Sequence, residues 1–153
     1  MSVVEDRLKE MNLTLPPPPA AVGAYVPFVR SGKLVFLAGQ IPVRDGKPLA
    51  TGKLGKEFTA ETSAEVVRAA TLNALATLKS ATGDLDRVAR IVRMTGYVAS
   101  APGFTGQAAV LNHASNLLVA AFGEKGRHAR VAVGVAELPL GVPVEIELIV
   151  EVE

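Results

Sequence analysis

The chain has 153 residues, of which 49% are hydrophobic, a size that suits one domain around a single core. Sixteen basic and 15 acidic residues leave a formal net charge of +1, so the strongly basic face that nucleic acid requires is missing. With no cysteine, disulfides, thiolate metal sites and cysteine nucleophiles are excluded, which fits a cytosolic protein.

"MSVVEDRLKEMN" carries acidic residues and no apolar h-region, so it reads as neither a signal nor a transit peptide. The longest apolar runs, such as "LLVAAF", are too short to span a bilayer, and the expectation is a soluble cytoplasmic protein with no membrane partner. Residues 2–12 form a short amphipathic helix with Val4, Leu8 and Met11 on one face. "LPPPPAA" stops it, because consecutive prolines donate no helical hydrogen bond and favour an extended path. Residues 1–20 therefore read as an appendage on a stiff connector, dispensable for a core domain over 21–153.

Two β-rich runs flank Ser31-Gly32-Lys33, a hairpin turn, and "RDGK" at 44–47 is a second turn. Residues 48–60 read as loop. Residues 62–82 form the best helix, with Val67, Ala70, Ala74, Leu75 and Leu78 on one stripe, a Thr62/Glu65 capping box and Gly83 as the stop. Residues 86–99 read as a strand, although their first half also admits a helix. "APGF" turns into a second helix over 105–122, with Val110, Ala114, Leu117, Leu118 and Ala121 on its stripe. A strand over 130–135, a turn at "ELPLGVP" and a strand over 144–152 complete the chain. In the last strand Val144, Ile146, Leu148, Val150 and Val152 share one face, and Glu145, Glu147 and Glu151, with Glu153 just beyond, share the other. The order β-β-α-β-α-β-β implies an α+β fold with two helices on one face of a mixed sheet. The other face needs cover, which a homo-oligomer would supply.

The sequence holds no phosphate loop, HExxH pattern or nucleophile elbow. His113 and His128 read as surface histidines rather than a metal site. Glu147, Glu151 and Glu153 read as a solvated face. Glu145, nearest the turn, is a candidate general acid or base. Arg130 opens a strand after a glycine-bearing loop. By composition it is a surface arginine, but its guanidinium fork also matches a carboxylate through two parallel hydrogen bonds. Arg127 and His128 would raise the local positive potential.

"VGAYV" at 22–26, "AGQIP" at 38–42, Asn73 and "HARVAVGVAELPLGVPVEIE" at 128–147 together resemble the reactive intermediate deaminase family, also called RidA or YjgF and formerly L-PSP endoribonuclease. The resemblance spans roughly residues 21–151. It implies a chorismate-mutase-like fold of the bacillus type, assembled as a homotrimer with sites in clefts between subunits. It implies hydrolysis of enamines and imines derived from amino acids to a 2-oxo acid and ammonia, with neither metal nor organic cofactor. By that resemblance Arg130 grips the substrate carboxylate, Glu145 positions or activates water, and Tyr25 lines the pocket. Gly39 and Ala132 complete its wall, and either Asn112 or Ser115 stands where the family has an asparagine.

Two departures stand out. Ala38 replaces a usual serine, and Ala132 stands where cysteine is common. Three functions follow in order: an enamine/imine deaminase, a non-catalytic trimer binding small carboxylic acids, and last the endoribonuclease of the older name. No nucleic-acid partner is expected.

Overall fold

The computed structural model describes residues 2–153. Alternation carries its sheet. Along strand β7 (Val144–Val152) the residues Val144, Ile146, Leu148, Val150 and Val152 are buried, while those between them are half-buried. Strands β1 (Phe28–Ser31) and β2 (Leu34–Leu37) form the expected hairpin, pairing Ser31 with Leu34 across Gly32 and Lys33. A small separate hairpin, β3 (Val43–Arg44) with β4 (Lys47–Pro48), turns at Asp45-Gly46, both with positive φ.

Strand β5 (Val88–Ala99) contains two irregularities. Its register with β7 shifts between Val88 and Arg90 and again between Ile91 and Arg93. These bulges put Val88, Ile91 and Met94 on the same buried face at a spacing of three. Strand β6 (Ala129–Val135) runs parallel to β5, and β7 is antiparallel to both β2 and β5, giving the sheet order β1-β2-β7-β5-β6.

Helix α2 (Ala64–Thr82) and helix α3 (Gln107–Phe122) cover one face of this sheet. Their Val67, Ala70, Ala74, Leu75, Leu78, Val110, Leu111, Ala114 and Leu118 meet Val35, Met94, Val98, Ile146 and Leu148 in one core. The capping box expected at Thr62 and Glu65 does not form. Ser63 occupies the N-cap, and Thr62 is used one turn earlier, where its Oγ1 accepts from Thr59 N at 2.8 Å. No helix among the described residues is long and apolar enough to cross a membrane.

The N-terminal helix α1 (Val3–Glu10) forms as expected, but it is packed rather than appended. Val4 and Leu8 are buried members of the core, and Leu13 and Leu15 lie against it on the way to the prolines. Burying two such side chains stabilises the fold by roughly 1.5–3 kcal/mol each. Asp86 caps the helix from a distant 3-10 turn (Leu85–Arg87). Its carboxylate accepts from Val3 N (2.8 Å), Val4 N (3.0 Å) and Ser2 Oγ (2.8 Å). Burial pushes the Asp86 carboxyl up, yet these hydrogen bonds outweigh it and hold the group below the usual aspartate value. The other end is tied by Arg7 Nη1 to Ala121 O at 3.1 Å, and the flank by Lys79 Nζ to Glu5 Oε1 at 2.6 Å. Proline prevents helix, but here it does not prevent packing.

Candidate functional site

Residues directly opposite each other in neighbouring strands share a face. Arg130 of β6 stands opposite Met94, and Met94 stands opposite Leu148, both buried on the helix side. The Arg130 side chain therefore rises towards α3. Its Nη1 donates to Asn112 Oδ1 at 2.8 Å and to Ser115 Oγ at 3.2 Å, and its Nη2 donates to Ala108 O at 3.4 Å. Both residues between which the sequence left the asparagine position open thus hold the guanidinium. Ala132, two residues on, shares this face and packs against the core. The Nε–H and the second Nη2–H have no partner among the described residues.

His128 is half-buried and bonded at both ring nitrogens, not a free surface histidine: Nε2 lies 2.9 Å from Ser115 Oγ and Nδ1 lies 2.6 Å from Gly126 O. Arg127 pairs with Glu124 at 3.2 Å on the exposed surface, so its charge is matched there. The other histidine, His113, places Nε2 2.8 Å from Ala60 O.

Glu145 belongs to the opposite face. It stands across from Tyr97, which stands across from Val133. Gln40 and Ile146 exchange two backbone hydrogen bonds of 2.7 and 2.9 Å, which lay Ala38-Gly39-Gln40 along the start of β7. The Glu145 carboxylate then covers Gly39 so closely that any Cβ at position 39 would collide with it. Ala38 N donates to Pro27 O at 2.9 Å, which extends the β1–β2 pairing to within two residues of Tyr25. Tyr25 itself is exposed.

Burial pushes the Glu145 carboxyl above the usual glutamate value, and the like charge of Glu147 pushes it further. Tyr97 Oη donates to Glu147 Oε1 at 2.6 Å, and that bond together with burial raises the phenol. Tyr97 and Glu147 were not among the sequence candidates. The signal that could have found them is the pairing of β5 with β7, which a single sequence does not supply.

The candidates therefore fall into two groups. Arg130, Asn112, Ser115 and Ala132 lie on the helix side at the β6 edge, and Glu145 and Gly39 lie with the open face. The sheet lies between the two groups. A cavity of about 390 Å³ elsewhere, lined by Lys53, Lys56, Glu57 and Glu137, contains none of them. Its cations face its own carboxylates, with Lys53 Nζ 2.8 Å from Glu137 Oε1 and Lys56 Nζ 3.9 Å from Glu57 Oε1.

Residues 5–152 match a family model described as YjgF/chorismate mutase-like endoribonuclease, starting within α1 rather than at residue 21 as the motifs implied. Protein TCP17 of Trypanosoma cruzi is 42% identical over 149 residues, 97% of this chain and 93% of that protein. The crystal structure of Atu1372 from Agrobacterium tumefaciens, a protein of unknown function, superposes with a TM-score of 0.92 at 43% identity, covering 99% of this chain and 93% of that one. With 99% covered, the superposition extends over α1 and the residues that follow it. Escherichia coli TdcF with bound serine superposes with a TM-score of 0.64 at 26% identity, over 89% of this chain and 94% of that chain.

Proposed function

Because the chain belongs to the YjgF/chorismate mutase-like endoribonuclease family, we propose that it is a hydrolytic deaminase of enamines and imines derived from amino acids, working as a homotrimer. The observation that carries this is the posture of Arg130. Asn112, Ser115 and Ala108 fix one side of its guanidinium and leave Nε–H and one Nη2–H for a carboxylate. Fixing the fork beforehand lowers the entropy lost on binding. The separation of Arg130 from Glu145 favours a cleft in which one subunit supplies the arginine group and its neighbour supplies Glu145 over Gly39. The open sheet face, with Val29, Phe36 and Val133 exposed, is the surface that assembly would cover.

In this reading the carboxylate of the imine docks on Arg130. An enamine first takes a proton at carbon to become the imine. Water then forms a C–O bond to the imine carbon, the C=N π electrons move to nitrogen, and nitrogen takes a proton. Glu145 accepts the proton that water loses and returns it to nitrogen. The proton of the new hydroxyl then passes to nitrogen, the electrons it leaves on oxygen form the C=O bond as the C–N bond breaks, and ammonia and the 2-oxo acid are released. A carboxyl held above its ordinary value suits a group that must both take and give a proton near neutral pH.

A second reading, a trimer that binds small acids without turnover, draws support from Ala38 and Ala132, which leave the site without the hydroxyl and thiol of related chains. The serine bound to TdcF fits a small carboxylate ligand under either reading. Ribonuclease action ranks last, since a net charge of +1 supplies little attraction for a polyanion.

Calorimetry with 2-oxobutyrate and ammonia release from a freshly generated imine test this. Arg130→Ala should cost about 2–5 kcal/mol of acid affinity, as expected for one lost partner of a desolvated charge pair. Arg130→Lys should also bind poorly, whereas Arg127→Ala should bind nearly as the parent does. Equal affinities throughout would end the clamp. Binding that tracks Arg130 without ammonia release would select the second reading. Glu145→Gln should abolish turnover and spare binding.

A further inference from the structure

We propose that His128 is a positioning residue for Arg130, acting through Ser115 as the neutral Nδ1–H tautomer. This rests on reading Arg130 as the acid-binding group. Proton bookkeeping along the chain of contacts fixes the roles. A guanidinium only donates, so Ser115 Oγ accepts from Arg130 Nη1. A carbonyl oxygen only accepts, so the proton between His128 Nδ1 and Gly126 O, 2.6 Å apart, sits on Nδ1. In the neutral ring Nε2 then carries a lone pair. It takes the single hydroxyl proton of Ser115 at 2.9 Å. Each contact in the series Arg130, Ser115, His128, Gly126 thereby joins one donor to one acceptor.

A second proton on the ring would break this order. Nε2 would become a donor, Ser115 would have to accept from both sides, and its own proton would lose its acceptor. It would also place a second cation one hydroxyl away from the guanidinium. The charged side chains of the preceding turn are engaged elsewhere. Glu124 pairs with Arg127 at 3.2 Å, and Lys125 Nζ donates to Val88 O at 3.1 Å.

The far end of the series is fixed by backbone. Gly126 packs against Leu118 and Val119 of α3 so tightly that a Cβ there would strike the Leu118 carbonyl. Gly126 O is therefore held at a set height above α3, the same helix that carries Ser115 and Asn112. His128 spans from that carbonyl to Ser115 and turns the serine lone pair towards Arg130. Without an acceptor at 128, the hydroxyl can rotate its proton towards the guanidinium, and one of the bonds that orient the fork is lost. The basic cluster "GRHAR" then has a division of labour: Arg130 binds, His128 orients, and Arg127 belongs to the surface.

Nitrogen-15 spectra of the unaltered protein at neutral pH read the tautomer directly. The expected result is a protonated Nδ1 and a bare Nε2 on His128. An Nε2–H tautomer or an imidazolium would overturn the proposal. Titration with 2-oxobutyrate supplies the second readout. His128→Leu should weaken binding about five- to tenfold, the scale of one lost hydrogen bond. His128→Gln should stay within about twofold of the parent, because its amide oxygen can accept from Ser115 in place of Nε2. Ser115→Ala should weaken binding as His128→Leu does, and the double variant should be no worse than Ser115→Ala alone. If Arg130→Ala abolishes binding while His128→Leu leaves it intact, or if Gln fails as Leu does, His128 is not a positioning residue and the clamp survives. If Arg130→Ala leaves affinity unchanged, the clamp itself falls and this role falls with it. Should His128→Leu fail to fold, the tautomer and the Gln variant decide the matter.

Discussion

Along β7, Ile146 and Leu148 lie almost fully enclosed on the face that α2 and α3 cover, whereas Glu145 and Glu147, one residue away, look onto a face where Val29, Phe36 and Val133 remain 53%, 40% and 37% exposed. The same strands build both faces. The first is closed by the chain's own helices, and the second has apolar side chains that no element of the chain reaches. The covered side holds the stability of the single chain. The open side, on the proposal above, holds the stability of the assembly and one half of the site.

The sharpest way to break that contrast is from the covered side. Ile146→Ala leaves a cavity in the core and should cost about 2–5 kcal/mol of unfolding free energy, seen as a lower denaturant midpoint. Val133→Asp places a charge on the open side at a position that is already partly solvated. It should leave the circular dichroism of the chain unchanged yet turn a trimer into monomers in light scattering at micromolar concentration. If it unfolds the chain as Ile146→Ala does, the two faces do not divide the labour in this way.

Asp86→Ala tests whether α1 belongs with the covered side. Loss of a cap costs about 0.5–2 kcal/mol, read from chemical denaturation at neutral pH. Because the folded carboxyl sits below its ordinary value, its contribution is present above the usual aspartate range and disappears as pH falls through the folded value. The gap between parent and variant should therefore close on acidification. Glu145→Gln should show the smallest effect and the opposite sign. The folded carboxyl sits above its ordinary value, so the stability it contributes is complete only at low pH and is lost as pH rises through the folded value. The variant should be slightly more stable than the parent at neutral pH, by on the order of 0.5 kcal/mol, and equal to it in acid.

Much of the covered side was legible in the sequence. The strict two-residue period over 144–152 and the Ala-rich stripe over 67–78 both translate directly into buried faces. The start of β5 was ambiguous for a physical reason: two bulges convert alternation into a spacing of three, the spacing a helix also produces. The proline run suggested separation, because prolines speak about backbone donors and say nothing of what Leu13 and Leu15 pack against. Arg130 and Glu145 could be picked out as residue types. That they face opposite ways could not, since facing depends on the registers that join β6, β5 and β7. His128 looked like a surface histidine because its acceptor is a backbone carbonyl, which no motif displays.

The middle of the sheet is also its latest part. β7 lies between β2 and β5, but of the seven strands it is the last to be synthesised. Until the ribosome has released residues 144–152, β2 and β5 have no strand between them. The backbone donors and acceptors that each turns towards β7 stay unpaired, and Val35, Leu37, Met94 and Val98 have no β7 side chains beside them. The nascent chain thus carries two sticky edges with nothing to join them, and it closes in one late step governed by contacts far apart in sequence. Premature termination just before residue 144 would leave a product suited to chaperones and proteases rather than a smaller working version of the protein.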